Sequence, residues 1–179
     1  MINLRINHDI ILYMKDEFKI ISKSPEETDK IAQALAGKLQ NKGILICLYG
    51  DIGAGKTTFV KFLAKSLGIK EKITSPSFVI LNEYHSNGIN LYHFDLYRLE
   101  EEGIATILDE LHEYTESDNS IALIEWAEFS SGDLPDERLE IKIKYLEETE
   151  REFIFKAYGK KSQEIINKLE INLSNTGKI

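Results

Sequence analysis

The sequence predicts an α/β fold, a single domain built on one mixed β-sheet flanked by helices. Three observations carry this. "ILICLY" at 44–49 is a continuous apolar run, the pattern of a strand covered on both faces. It passes through the glycine-rich "GDIGAGKT" into the amphipathic "TTFVKFLAKSLG", giving strand, turn and helix in order. Later, "RLEIKIKYL" at 138–146 alternates apolar and polar residues, and "REFIFKAY" at 151–158 can pair with it across "EETE".

From the N-terminal side, "FKIIS" at 18–22 reads as a short strand. Ser24 then caps a helix with Pro25 at its first position, Glu27 closing a capping box, and Ile31, Leu35 and Leu39 on one face. After "ILICLY", the next helix carries Phe59, Phe62, Leu63 and Leu67 as its apolar stripe and stops at Gly68. "SFVILNEY" at 77–84 and "INLYHFDLY" at 89–97 read as two strands of a hairpin, joined by the turn-forming "HSNG". A helix is expected over 104–114, a strand at "IALIEW" (121–126), and a last helix at "KSQEIINKLEI" with Ile165, Ile166 and Leu169 together. No internal repeat or long linker divides the chain.

The totals exclude several classes. A chain of 179 residues with net charge −8 is ill suited to grip nucleic acid unaided, because such binding rests on neutralised phosphates. The lone cysteine, Cys47, has no intramolecular partner and sits in an apolar run as a small hydrophobe. No stretch approaches the about 20 apolar residues of a membrane span, and the N-terminus lacks a signal-peptide pattern, so the expected location is the cytoplasm.

The chemistry concentrates at Gly50-Asp51-Ile52-Gly53-Ala54-Gly55-Lys56-Thr57, followed by Thr58. This is G-x-x-x-x-G-K-[ST] at every fixed position, between a buried strand and a helix, the P-loop context. Gly53 and Gly55 let backbone N–H groups turn toward phosphate oxygens, and the helix N-terminus points at the same spot. Lys56 is expected to reach the β- and γ-phosphates of a bound nucleotide, and the Thr57 hydroxyl to join a magnesium shell. The fold class is therefore P-loop NTPase-like.

Such a site needs a further acid. "LYHFD" and "IALIE" each place a carboxylate, Asp95 and Glu125, at the end of an apolar strand, where burial is costly unless the acid is paired or metal-bound. Period two puts Tyr92, Phe94 and Leu96 on one face of the first strand and His93 and Asp95 on the other. Either acid could hold magnesium beside Thr57 or orient the attacking water. Lys56, Asp95 and Glu125 form the catalytic set. Trp126 packs in the core or lids the nucleotide; His93 is structural or catalytic.

The combination of "GDIGAGKTTF", "TSPSFVILNEY", "LYHFDLYRL" and "IEWAE", in that order, resembles the TsaE (YjeE) family of bacterial ATPases, over roughly residues 22–158. The resemblance implies a protein serving N6-threonylcarbamoyladenosine synthesis at position 37 of tRNAs. It would bind the heterodimer of TsaB and TsaD, hydrolyse ATP with magnesium to support that complex's turnover, and meet tRNA only indirectly. It places the family's lysine and threonine on Lys56 and Thr57, its metal-linked glutamate on Glu125, and its required aspartate on Asp95. The switch segment falls on Ser75-Pro76-Ser77-Phe78, and Arg151 aligns loosely with a residue near the nucleotide. Residues 1–13 lie before the family's usual start and are expected to be a disordered extension or mis-start, with the ATPase domain at 14–179.

Four arginines (Arg5, Arg98, Arg138, Arg151) offer few candidates for stabilising the transition state, so hydrolysis is expected to be weak alone and partner-dependent. The eight acids of 100–118, with no Lys or Arg, read as a solvated face or a docking surface for a basic partner. The competing functions are a nucleotide-gated binding module and a small-molecule kinase. A GTPase lacks its guanine-reading motif here, since "NKLE" at 167–170 falls inside the last helix.

Overall fold

The computed structural model describes residues 17–39, 42–99, 111, 113, 114, 117–130 and 134–175. The expectation for residues 1–13 lies outside them, as does most of the helix expected over 104–114, of which Leu111, Glu113 and Tyr114 are helical.

Seven strands make one mixed sheet: β1 (Glu17–Ser22), β2 (Ile44–Tyr49), β3 (Leu81–Ser86), β4 (Ile89–Asp95), β5 (Ser120–Glu125), β6 (Arg138–Tyr145) and β7 (Arg151–Tyr158). Their order is β1-β7-β6-β2-β5-β4-β3. The centre, β6-β2-β5-β4, is parallel, and antiparallel pairs flank it on both sides. Among the described residues the helices of known bounds are α1 (Pro25–Leu39), α2 (Lys56–Ser66) and α3 (Lys160–Asn175).

Alternation along the central strands sorts their side chains into two cores. Ile44, Ile46 and Leu48 of β2, Leu91 of β4 and Ile121 and Leu123 of β5 meet the buried faces of all three helices. Leu45, Cys47, Phe94, Ala122 and Ile124 point to the opposite face, where Leu96, Leu111 and Ala127 join them. This parity matters for function. His93 and Asp95 share the parity of Leu91, and Glu125 that of Ile121 and Leu123, so all three face the side that carries α2.

Local chemistry explains the element ends. The Glu27 N–H donates to the Ser24 hydroxyl at 3.3 Å, but the Glu27 carboxylate accepts from the N–H of Lys23 at 2.7 Å, one residue before the expected capping-box partner. Helix α2 stops in a Schellman motif: the Gly68 N–H donates to Lys65 O and the Ile69 N–H to Ala64 O, with Gly68 at φ +85°. Asn87 and Gly88, both at positive φ, turn β3 into β4 as a two-residue hairpin loop.

One expected strand begins late. Residues 77–80 of "SFVILNEY" form a turn in which Pro76 O accepts the N–H groups of both Val79 and Ile80, and pairing starts at Leu81. Proline disposes its neighbourhood to turn, and Ile80 at φ +70° breaks the extended path, so Phe78 and Val79 are left 82% and 62% exposed.

Candidate functional site

The site lies where β2, β4 and β5 end, at the carboxyl edge of the parallel centre, the usual binding edge of an open α/β sheet. The ladder fixes the geometry. Leu48, one residue before the end of β2, is the register partner of Glu125, which is in turn the partner of Asp95. The loop after β2 is thus set beside both carboxylates by backbone pairing alone.

That loop needs its glycines. Gly50, Gly53 and Gly55 take φ values of +137°, +78° and +107°, and a Cβ on Gly50 would collide with the backbone of Ile143 in β6. Gly55 caps α2 with no side-chain hydrogen bond, leaving the helix's first N–H groups directed into the loop.

The polar groups converge in pairs. The Thr57 hydroxyl donates to Glu125 Oε2 at 2.7 Å, while His93 Nε2 lies 2.9 Å from Glu125 Oε1, with both residues buried. The hydroxyls of Ser75 and Ser77 reach Asp95 Oδ2 at 2.6 and 2.5 Å, and the Tyr97 N–H donates to Oδ1 at 3.0 Å. The Lys56 ammonium donates to the carbonyls of Gly50 and Asp51 and stands 3.4 Å from the centre of the Trp126 ring. Trp126 adopts φ +61°, a left-handed backbone that costs a non-glycine residue about 1–2 kcal/mol. Its ring lies at the cavity wall, on Lys56 and 5.0 Å from that of Tyr97. Burial lowers the lysine's pKa from its ordinary value, and Glu128, Glu125, Asp95 and Asp51 oppose that shift.

Asp51, Ile52, Gly53, Gly55, Lys56, Thr57, Thr58, Asp95, Glu125 and Trp126 line one cavity of about 450 Å³ with Tyr97 and with Ser75 and Ser77 of the expected switch segment, whereas His93 reaches it only through Glu125. Ala54 and Arg151 line a second hollow of about 240 Å³ that meets the first at Gly53, Gly55 and Thr58. The Arg151 guanidinium is tied to the backbone oxygens of Ala54, Glu147 and Glu150 at 2.8–2.9 Å, so it braces the loop. Arg98 lies over the ring of Phe78, and Arg138 is bound to Glu140 and Pro135 O. Among the described residues no arginine lines the main cavity.

The donor set fits magnesium. Mg²⁺ is bound by one or two carboxylates together with substrate phosphates and waters, and the adjacent oxygens of Thr57 and Glu125 supply such a partial shell. Among the described residues no group of three or more His, Cys, Asp or Glu could hold a metal by itself, so an ion here would depend on phosphate oxygens. Charge points the same way. Asp51, Asp95 and Glu125 face the cavity, with Lys56 its one lining cation among the described residues, so a polyphosphate entering alone would meet net repulsion from them.

The sequence left two functional features open: the contact of His93 with Glu125, and the two serine hydroxyls on one oxygen of Asp95. Alternation placed His93 and Asp95 on the correct face, and the hydroxyls of Ser75 and Ser77 were visible as types. Their partners were not, because they are 32, 20 and 18 residues away.

Comparison with known proteins bears on this geometry. A family model described as "Threonylcarbamoyl adenosine biosynthesis protein TsaE" matches residues 22–153. A Bacillus subtilis (strain 168) protein named tRNA threonylcarbamoyladenosine biosynthesis protein TsaE is 40% identical over 154 residues, 85% of this chain and 94% of the relative. A Haemophilus influenzae protein of the same name is 34% identical over 136 residues, 76% of this chain and 82% of its own. The crystal structure titled Bacillus subtilus YdiB superposes with a TM-score of 0.72 at 36% identity, covering 87% of this chain and 95% of that one.

Proposed function

The chain belongs to the TsaE family, and we propose that it is a magnesium-dependent ATPase of tRNA threonylcarbamoyladenosine synthesis, acting in the cytoplasm. In this reading it binds the TsaB–TsaD heterodimer and hydrolyses ATP to support that complex's turnover, meeting tRNA only through it. The observation that carries the proposal is the convergence of Lys56, Thr57, Glu125 and Asp95 on one cavity at the mouth of the phosphate loop.

The roles follow from position. The loop N–H groups and the α2 N-terminus hold the phosphates, and Lys56, freed from its loop carbonyls, turns its charge onto them. Thr57 and Glu125 would hold magnesium, which supplies charge neutralisation to the phosphate oxygens. Asp95 lies across from Glu125 and can orient the attacking water, a positioning role suited to phosphoryl transfer. A nucleotide laid across Gly53 and Gly55 places its nucleoside end toward the second hollow, where Arg151 stiffens the wall. The absence of a lining arginine among the described residues supports slow hydrolysis alone and faster hydrolysis with a partner.

A nucleotide-gated binding module is the second reading. The exposed Phe78 and Val79 favour it, since they belong to the segment whose serines hold Asp95. Reconstitution tests both. Wild-type protein and Lys56→Ala are added to TsaB, TsaD and the activated threonylcarbamoyl donor, and multiple-turnover modification of tRNA is measured. The expected result is turnover that requires this chain and its intact Lys56. Turnover independent of both overturns the main reading, and partner binding that follows ATP occupancy in a hydrolysis-dead Glu125→Gln variant favours the gated module.

A further inference from the structure

We propose that His93 is a positioning residue for the metal site: its Nε2–H holds Glu125 so that Oε2 is turned to Thr57 and the ion. The inference rests on the magnesium site proposed above.

Three observations carry it. First, the contact is built by the sheet. His93 and Glu125 lie on neighbouring parallel strands, two residues out of register, with both side chains on the α2 face. Second, the two oxygens of Glu125 are divided between two elements: Oε1 is 2.9 Å from His93 Nε2, and Oε2 accepts from Thr57 at 2.7 Å. A carboxylate accepts and does not donate, so the proton of this contact belongs to Nε2. Third, Nδ1 is buried with no hydrogen-bond partner, and the ring itself is 0% exposed. Its only polar attachment among the described residues is therefore to Glu125.

An apolar side chain at position 93 would remove the buried, unpartnered nitrogen. What it could not supply is an N–H donor to Glu125. Serine is too short to span the gap, and lysine is a flexible chain, whereas imidazole donates from a rigid ring held by the strand. Ligand-orienting partners of this kind change metal affinity by about 10–100-fold when removed.

The test separates metal positioning from fold support. Affinity for the non-hydrolysable β,γ-imido analogue of ATP is measured by calorimetry with saturating Mg²⁺ and in EDTA, for wild type, His93→Leu and His93→Gln. The Gln amide can reproduce the Nε2–H donor. The expected result is that His93→Leu loses about tenfold or more of the magnesium-dependent gain in affinity while the EDTA value stays within about twofold, and that His93→Gln retains most of the gain. Equal losses with and without magnesium, or no loss in His93→Leu, overturn the proposal. A wild type with no magnesium-dependent gain would instead overturn the metal site itself.

If His93→Leu fails to fold, the wild type alone decides. In protein labelled with ¹⁵N-histidine, the Nε2–H tautomer is expected, with an Nε2 resonance that moves when Mg²⁺ is added to the nucleotide complex. The Nδ1–H tautomer, or a resonance blind to magnesium, overturns the assignment.

Discussion

Glu125 and Asp95 stand side by side as register partners on β5 and β4, each 2% exposed, yet they are held in different ways. Glu125 is gripped by regular structure, by His93 from a central strand and Thr57 from the first turn of α2. Asp95 is held mainly by a loop: Ser75 and Ser77 supply hydroxyls to one oxygen, and the same segment leaves Phe78 and Val79 in solvent. Elements locked into a core keep their geometry, while a segment with few buried contacts opens at low cost. One carboxylate is thus set by the fold, and the other by a loop that can respond to what occupies the cavity.

Removing each acid is the strongest way to break this contrast. Glu125→Ala is expected to lower ATP hydrolysis by about 10²–10³-fold, the scale of losing a fixed electrostatic group at a reacting centre. It also leaves His93 with both ring nitrogens unpartnered. Thermal unfolding should therefore register a loss of about 1–3 kcal/mol, a Tm lower by several degrees. Unchanged Tm would show that the contact with His93 does not anchor the fold. Asp95→Ala is expected to cut hydrolysis by about 10²-fold, while ATP affinity changes less than about threefold. Loss of ATP binding with normal hydrolysis per bound nucleotide would reverse the roles assigned to the two acids.

Finer changes sharpen the comparison. Ser75→Ala combined with Ser77→Ala removes both hydroxyls from Asp95, and the rate of hydrolysis should fall about tenfold, equivalent to about 1.4 kcal/mol. Its metal dependence should not change; a shift in magnesium affinity would mean that the two acids act as one unit. The smallest effect is expected at the lid. Trp126→Leu removes the aromatic face from Lys56 and should change nucleotide affinity by a few-fold at most. As the chain's one tryptophan, Trp126 also lets fluorescence report nucleotide binding directly in the other variants.

Much of this architecture was legible beforehand, for stated reasons. Continuous apolarity marked β2 as covered on both faces, and alternation marked β6 and β7 as strands. The glycine spacing and Lys56-Thr57 marked the phosphate loop because few other sequences tolerate three positive φ values before a helix. What failed was local. Val79 and Ile80 are good strand formers, yet their N–H groups both turn to Pro76 O, so a local turn at the proline overrode strand propensity. The expectation that Arg151 lies near the nucleotide is a separate matter: its guanidinium is bound to the backbone of its own turn and of the glycine-rich loop, partners that residue type alone does not reveal.

The sequence by itself determined the period of each element, the face on which His93 and Asp95 stand, and the glycine spacing of the loop proposed to bind phosphate. These depend on neighbours a few residues apart, whose geometry the backbone dictates. Strand order was decided only by the tertiary structure. It laid β4 beside β5 so that Asp95 meets Glu125, brought Thr57 to one oxygen of that glutamate and His93 to the other, and folded Ser75 and Ser77 onto Asp95. Each of these contacts joins residues separated by 18 or more positions, and no local pattern encodes a partner at that distance.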